Sequence, residues 1–347
     1  MQQLLAVILI ATHSSGAVAV SLAAAPTQSD WRVMQRYQPG GDGGWDYLNL
    51  DAATQHLYIS RSDRVLVLDA RDGKKVGEID GLSGVHGIAL APDMHRGFIS
   101  NGRADTVTVF DPASLKIGQT IAVGAHGPDA ILYDPFSKRV FTFNGHSNDA
   151  SVIDAGSGKL LGTIALPGKP EEAVSDGRGH VYDNIEDKHE LAEIDPMAMK
   201  VMNTWPLKDC EEPSGLAIDT AHHRLFSVCQ NKTMAVTDAD SGKPVANVAI
   251  GDGPDGAAFD AQRGLVFSSN GESGTLTVVR EDDADRFSVI ANAPTQKSAR
   301  TLALDPQSGR VYLSAAQFGE RPAPTAEHPH PRPSIVPGSF TILVVGR

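Results

Sequence analysis

Residues 139–164 read RVFTFNGHSNDASVIDAGSGKLLGTI. Runs rich in β-branched, aromatic and other apolar residues, at Val140–Phe143, Ser151–Ile153 and Leu160–Ile164, are separated by short stretches of Gly, Asn, Asp and Ser. That pattern predicts strands joined by tight turns and has no helical period. One more apolar run, Ala130–Tyr133, lies upstream of the turn opened by Asp134. The same unit recurs along the chain. Its aromatic strand residue appears at Tyr58, Phe98, Phe141, Tyr182, Phe226, Phe267 and Tyr312, at spacings of 40, 43, 41, 44, 41 and 45 residues. The preceding turns are opened by Asp51, Asp134, Asp176, Asp219, Asp260 and Asp305, with Ala91, Pro92 and Asp93 in the second unit. A following apolar run ends in Asp at Asp69, Asp111, Asp154, Asp195 and Asp238.

Four short runs per unit predict a four-stranded antiparallel blade. Such a blade cannot bury both faces alone, so seven of them are expected to pack in a ring, giving an all-β, seven-bladed β-propeller. The last unit supplies strands at 301–304, 311–315 and 340–345 and then the chain ends, so its fourth strand is expected from residues 31–37, closing the ring with the N-terminal strand. The aromatic strand, the apolar run ending in Asp, the Gly-Lys turns at 158–159 and 242–243 and the Gly-Pro-Asp triplets at 127–129 and 253–255 together resemble the YVTN (YncE-like) β-propeller repeat family. The resemblance covers roughly residues 31–347. It implies a periplasmic or surface propeller with no single shared activity, and one branch of that family is associated with DNA. Two units depart from the pattern: Arg280 replaces the Asp marker in the sixth, and residues 316–339 form a Pro-rich insertion in the seventh.

The 347 residues are 41% hydrophobic and 21% charged, a composition that fits a packed chain and not a disordered one. The net charge of −12, without a run of basic residues, disfavours nucleic acid as a partner. Residues 1–29 contain no Asp, Glu, Lys or Arg, and Leu4–Ala11 form an apolar run too short to span a bilayer. Residues 1–25 therefore read as a signal peptide and 26–347 as a single propeller, exported to the periplasm as a soluble monomer with no transmembrane segment. Cys210 and Cys229 flank the first two strands of the fifth unit; pairing about the turn near Thr220 brings Ser214 opposite Cys229 and predicts a disulfide in that oxidising compartment.

Counting back equally from each turn selects one residue per blade at the mouth of the central channel: Asp46, His86, Asp129, Glu171, Ser214, Asp255 and Arg300. They form a polar, net negative funnel, with Glu172, Glu211 and Glu212 close in sequence. Crowded carboxylates raise one another's pKa unless a metal or base neutralises them, a part open to Arg300. A second layer is expected from Asn101, Asn144, Asn184 and Asn270, with His146 nearby. His86, Asp129, Glu171 and Asp255 are candidate ligands for a divalent metal ion. His328 and His330 in the Pro-rich insertion are further candidates.

The residues contain no zincin, phosphate-loop or calcium-loop spacing, so catalytic residues are not assigned. The first reading is a non-catalytic binding or interaction propeller that presents its acidic mouth to a small molecule, cation or protein. The alternative is a divalent-metal hydrolase or lactonase acting there. Binding of DNA, as in the family branch, is third.

Overall fold

The computed structural model describes residues 30–323, 325 and 333–347; the expected signal segment, His328 and His330 lie outside them. Among the described residues are 28 strands, numbered β1–β28 in chain order, and two three-residue 3-10 turns. The strands form seven four-stranded antiparallel sheets. Their first strands are β2 (Leu48–Asp51), β6 (Val85–Ala91), β10 (Pro128–Asp134), β14 (Pro170–Ser175), β18 (Pro213–Asp219), β22 (Pro254–Asp260) and β26 (Leu302–Leu304). Each first strand touches its counterparts in the two adjoining blades, which places these seven around the axis.

The ring closes at the seventh blade, where β26, β27 (Val311–Ala315) and β28 (Thr341–Gly346) are completed by β1 (Arg32–Tyr37). β1 pairs antiparallel with β28 from Arg32 opposite Gly346 to Tyr37 opposite Ile342. The seven repeated aromatics are all buried between blades. They hold the same blade position because each inter-blade core needs one bulky ring to fill it.

Five inner strands carry a β-bulge close to their start, in β6, β10, β14, β18 and β22. The bulge corrects one expectation. Pro213, not Ser214, lies opposite Cys229, because the irregularity between Pro213 and Leu216 shifts the register by one residue. Cys210 and Cys229 are nevertheless disulfide-bonded, across a sequence separation of 19.

Arg61 is one of the largest fully buried side chains among the described residues and was not singled out by sequence. Its guanidinium donates to the carbonyls of Gly40 (3.0 Å), Gly41 (3.1 Å), Asp42 (2.9 Å), Gly43 (3.1 Å) and Gly44 (3.2 Å). It also lies 3.8 Å over the Phe340 ring. One cation thus folds the glycine-rich loop that carries the chain from the closing strand, at the blade edge, to the axis.

Replacing Arg61 by Met is expected to lower the unfolding free energy by about 3 kcal/mol, because several buried carbonyls lose their charged donor. Urea denaturation followed by circular dichroism checks this; a change within about 0.5 kcal/mol would contradict the role. Converting both cysteines to Ser is expected to cost about 3 kcal/mol in the same assay.

Candidate functional site

Asp46, His86, Asp129, Glu171, Ser214, Asp255 and Arg300 all stand at or just before the start of an inner strand, so their backbones form one ring about the axis. Side chains from first and second strands hold that ring. Ser60 Oγ accepts the Asp46 amide at 2.8 Å, and Ser100 Oγ accepts the Gly87 amide at 2.8 Å while donating to the Asp129 carbonyl of the adjoining blade at 2.5 Å. Asn184 Nδ2 donates to the Ser214 carbonyl at 3.0 Å, and Ser269 Oγ donates to the Arg300 carbonyl. Thr301 Oγ1 donates to the Asp46 carbonyl at 2.7 Å, and Asn49 Nδ2 to the Ile88 carbonyl at 3.0 Å. Each of these last four bonds crosses from one blade to the next. At the border of the third and fourth blades Phe143 occupies the corresponding position, and the contact there is apolar.

Most of the side chains form an alternating chain of charge. His86 Nδ1 lies 2.7 Å from Asp46 Oδ2 and 3.3 Å from Asp129 Oδ1. Arg300 reaches Asp255 at 3.2 Å and Asp46 at 3.7 Å. Glu171 is held apart from this group by Lys169, whose Nζ is 2.7 Å away and which also pairs with Glu186. The buried Ser214 hydroxyl donates to the Pro254 carbonyl at 3.1 Å. Asp46, His86 and Asp129 each offer a ligand atom within 4.8 Å of the others and could hold a divalent ion. Of the four metal candidates read from sequence, the structure thus brings His86 and Asp129 together with Asp46, while Glu171 and Asp255 are engaged by Lys169 and Arg300.

The expected second layer is mostly structural. Asn101, Asn144 and Asn270 are buried and donate to hydroxyls on the third strands of their own blades. Glu211 and Glu212 are exposed and are fixed by backbone bonds to Asn231 and His189. Residues that counting missed are Lys169, Tyr47, Asp183 and Glu186. Lys169 had a signal: it stands two residues before Glu171, where two other blades have the glycine of Gly-Pro-Asp. Gly127 there has φ +64 and lies so close to His146 that a Cβ would meet the ring at 2.6 Å, whereas Lys169 is not in the left-handed region.

Below the mouth lies a cavity of about 90 Å³ lined by Tyr47, Gly87, Ala130, Phe143 and Glu172, among others. Glu172 Oε2 accepts the Leu216 amide across a blade border at 3.1 Å. Asp183 is wholly buried, and burial, with the Glu171 charge adding to it, pushes its pKa well above the carboxylate range. Beside the mouth, the described base of the Pro-rich insertion packs Phe318 against Trp45, the neighbour of Asp46, with ring centroids 6.0 Å apart.

The electrostatics follow from desolvation and crowding. Burial is the largest cause at Glu172 and Asp255, pushing them up to about 8 and about 7, with Asp255 raising Glu172 and Asp46 raising Asp255 further. Asp129 and Glu171 are raised for the same reasons, against the opposing pull of His86 and Lys169. Burial disfavours charge on His86, but the Asp46 hydrogen bond and Asp129 outweigh it and the imidazole is raised. Burial acts likewise on Arg300, and Asp255 and Asp46 raise it on balance. Asp46, Asp129, Glu171, Glu172, Asp255 and Glu186 face only His86, Lys169 and Arg300, so the mouth retains an excess of acid.

Solved structures share this fold. A Kuenenia stuttgartiensis hydrazine synthase chain aligns with a TM-score of 0.68 at 18% identity, covering 85% of this chain and 96% of its own. U3-55K aligns at 0.74 with 10% identity over 90% of this chain and 98% of its own, and the RRP9 WD40 repeats align at 0.74 with 11% identity over 93% and 99%. These likenesses establish a β-propeller. No family profile and no curated protein sequence matches the chain. Among the described residues no helix is long and apolar enough to cross a membrane.

An acid whose pKa is higher folded than unfolded contributes stability that is present below its unfolded pKa and is lost as pH rises through the folded one. The mouth acids therefore place the loss between about pH 4 and pH 8. The melting temperature is expected to fall by several degrees from pH 5.5 to pH 8.5, and the double change Glu172→Gln, Asp255→Asn is expected to flatten that slope. An equal slope in the variant would show that these acids do not set it.

Proposed function

We propose that this chain is an exported, non-catalytic binding propeller of the YVTN kind, whose acidic channel mouth takes a cation: a divalent metal or the cationic group of a small ligand. The observation that carries this reading is the carboxyl excess around Asp46, His86 and Asp129, held rigidly by the blade borders. Carboxyls that repel one another at their own pKa are a preformed site for positive charge, because a cation relieves both desolvation and repulsion. The same acidity argues against the phosphate backbone of nucleic acid at this face. Export to the periplasm is supported by the uncharged apolar N-terminus and by the Cys210–Cys229 bond, which suits an oxidising compartment. The insertion base beside Trp45 offers a protein partner a surface next to the same mouth.

The test is calorimetric titration at pH 8 with Zn²⁺, Mn²⁺, Ca²⁺ and a small aliphatic diamine. At least one is expected to bind more tightly than about 1 mM, with affinity rising from pH 6 to pH 8 and falling at least tenfold in Asp129→Asn and His86→Ala. Absence of binding, or equal binding by both variants, overturns the site. Lactone hydrolysis by the metal-loaded protein that disappears in Asp129→Asn would replace the non-catalytic reading with the hydrolase.

A further inference from the structure

On the face opposite the mouth, the turn between the first two strands of most blades is built around one Asp, and a donor side chain usually satisfies it. Thr54 Oγ1 donates to Asp51 at 2.8 Å, Ser137 Oγ to Asp134 at 2.5 Å, an Arg263 N–H to Asp260 at 2.9 Å and Ser308 Oγ to Asp305 at 2.6 Å. In the fourth blade His180 lies between two acids, one at each ring nitrogen: Asp176 2.8 Å from Nδ1 and Glu193 3.7 Å from Nε2. That is an arrangement an imidazolium satisfies, with an N–H on either side.

The fifth blade is different. Two carboxylates converge on a single nitrogen: His222 Nδ1 is 2.7 Å from Asp219 Oδ2 and 3.3 Å from Glu281 Oε1. One N–H cannot satisfy both, and the base that Glu281 Oε1 meets, with its side chain only 4% exposed, is that shared His222 nitrogen, too far away for a well-formed bond. Asp219, 3% exposed, is fixed by the amides of Ala221 at 2.9 Å and His222 at 3.2 Å. Two buried carboxylates side by side, sharing one imidazole nitrogen, are costly unless further positive charge stands between them.

Glu281 comes from another blade. It lies on β24 (Thr275–Asp283), which with β25 (Arg286–Pro294) forms a hairpin of two nine-residue strands. Arg224, next to the fifth-blade turn, grips the tip of that hairpin at the Ala284 carbonyl (2.7 Å) and at Asp285 (2.9 Å). The hairpin is thus held where Glu281 meets Asp219. The three ligand atoms lie within 4.8 Å of one another. One imidazole nitrogen with two carboxylate oxygens suits Zn²⁺, which takes such ligands in a compact tetrahedral shell.

We infer that Asp219, His222 and Glu281 form a zinc site that clasps the fifth-blade turn to the long hairpin of the sixth. The metal takes the place of the proton between His222 and the two acids, so binding releases a proton and strengthens with pH. His222, half exposed, leaves a fourth position open to water.

The site is tested in the His86→Ala background, which disarms the imidazole of the mouth, so the outcome does not depend on the function proposed above. Equilibrium dialysis of the full chain against Zn²⁺, with bound metal counted by elemental analysis, is expected to give one zinc per chain. Adding His222→Ala, a surface change that leaves the core intact, is expected to weaken zinc by more than the roughly 10- to 100-fold that loss of an outer partner costs. Glu281→Gln should do the same, whereas His223→Ala, the neighbouring imidazole paired with Asp240, should not. Absence of bound zinc, or equal zinc binding after His222→Ala, overturns the inference.

Discussion

No blade of this protein can bury both of its faces, so every core depends on closing the ring, and closure depends on β1. That strand ties the two ends of the chain together in more than hydrogen bonds. Trp31, just before it, packs with Phe267 of the sixth blade and Val345 of the seventh. Tyr37, at its other end, packs with residues of the first and seventh blades, and its hydroxyl and that of Tyr312 both donate to the Ala70 carbonyl at 2.9 Å. A single strand therefore contributes to two inter-blade cores. Loss of its pairing would expose two apolar faces at once, which makes unfolding cooperative around the ring.

The closed ring is also what allows acids to be crowded at its mouth. Like charges about 4 Å apart at a protein surface repel by roughly 4 kcal/mol, enough to spread a flexible loop. Here the backbones of Asp46 and Asp129, and of the base Arg300 beside them, are tied to an adjoining blade or to a second strand. The side chains cannot separate without breaking those bonds, so the repulsion appears in protonation instead of in structure. Burial first, and this repulsion second, raise Glu172 and Asp255 to about 8 and about 7, while the turn acid Asp69, paired with Arg71 at the surface, falls to about 2.

Much of this was legible because a repeat reports each position seven times. The aromatic column, the turn acids, the mouth positions and the need for an N-terminal closing strand all follow from period and count. The bulges were not legible, since a bulge adds a residue without altering composition, and for that reason Ser214 was placed opposite Cys229 in place of Pro213. Counting also treats every blade alike. It gives no sign that the Ser214 hydroxyl is bound to the Pro254 carbonyl, and it passes over Lys169, which lies outside the counted position. Asn184 shows the same limit from the other side: it lies one residue earlier on its strand than Asn101, Asn144 and Asn270, and only it reaches across to the adjoining blade.

Where the repeat is kept, a side chain is explained by packing or by a turn, and an individual blade carries little information. Where it is broken, something specific has to compensate. Lys169 breaks the glycine position, and it balances Glu171 and Glu186, which would otherwise meet with no base between them. Arg280 stands where the Asp marker belongs, and the hairpin runs on past it; the residue this brings to the fifth blade is not a donor but Glu281, a second buried acid beside Asp219. At the mouth Lys169 and Arg300 answer part of the acid from within the chain. On the opposite face Asp219 and Glu281 share a single imidazole nitrogen, that of His222, so further positive charge is the physical answer that the blade itself leaves to be supplied.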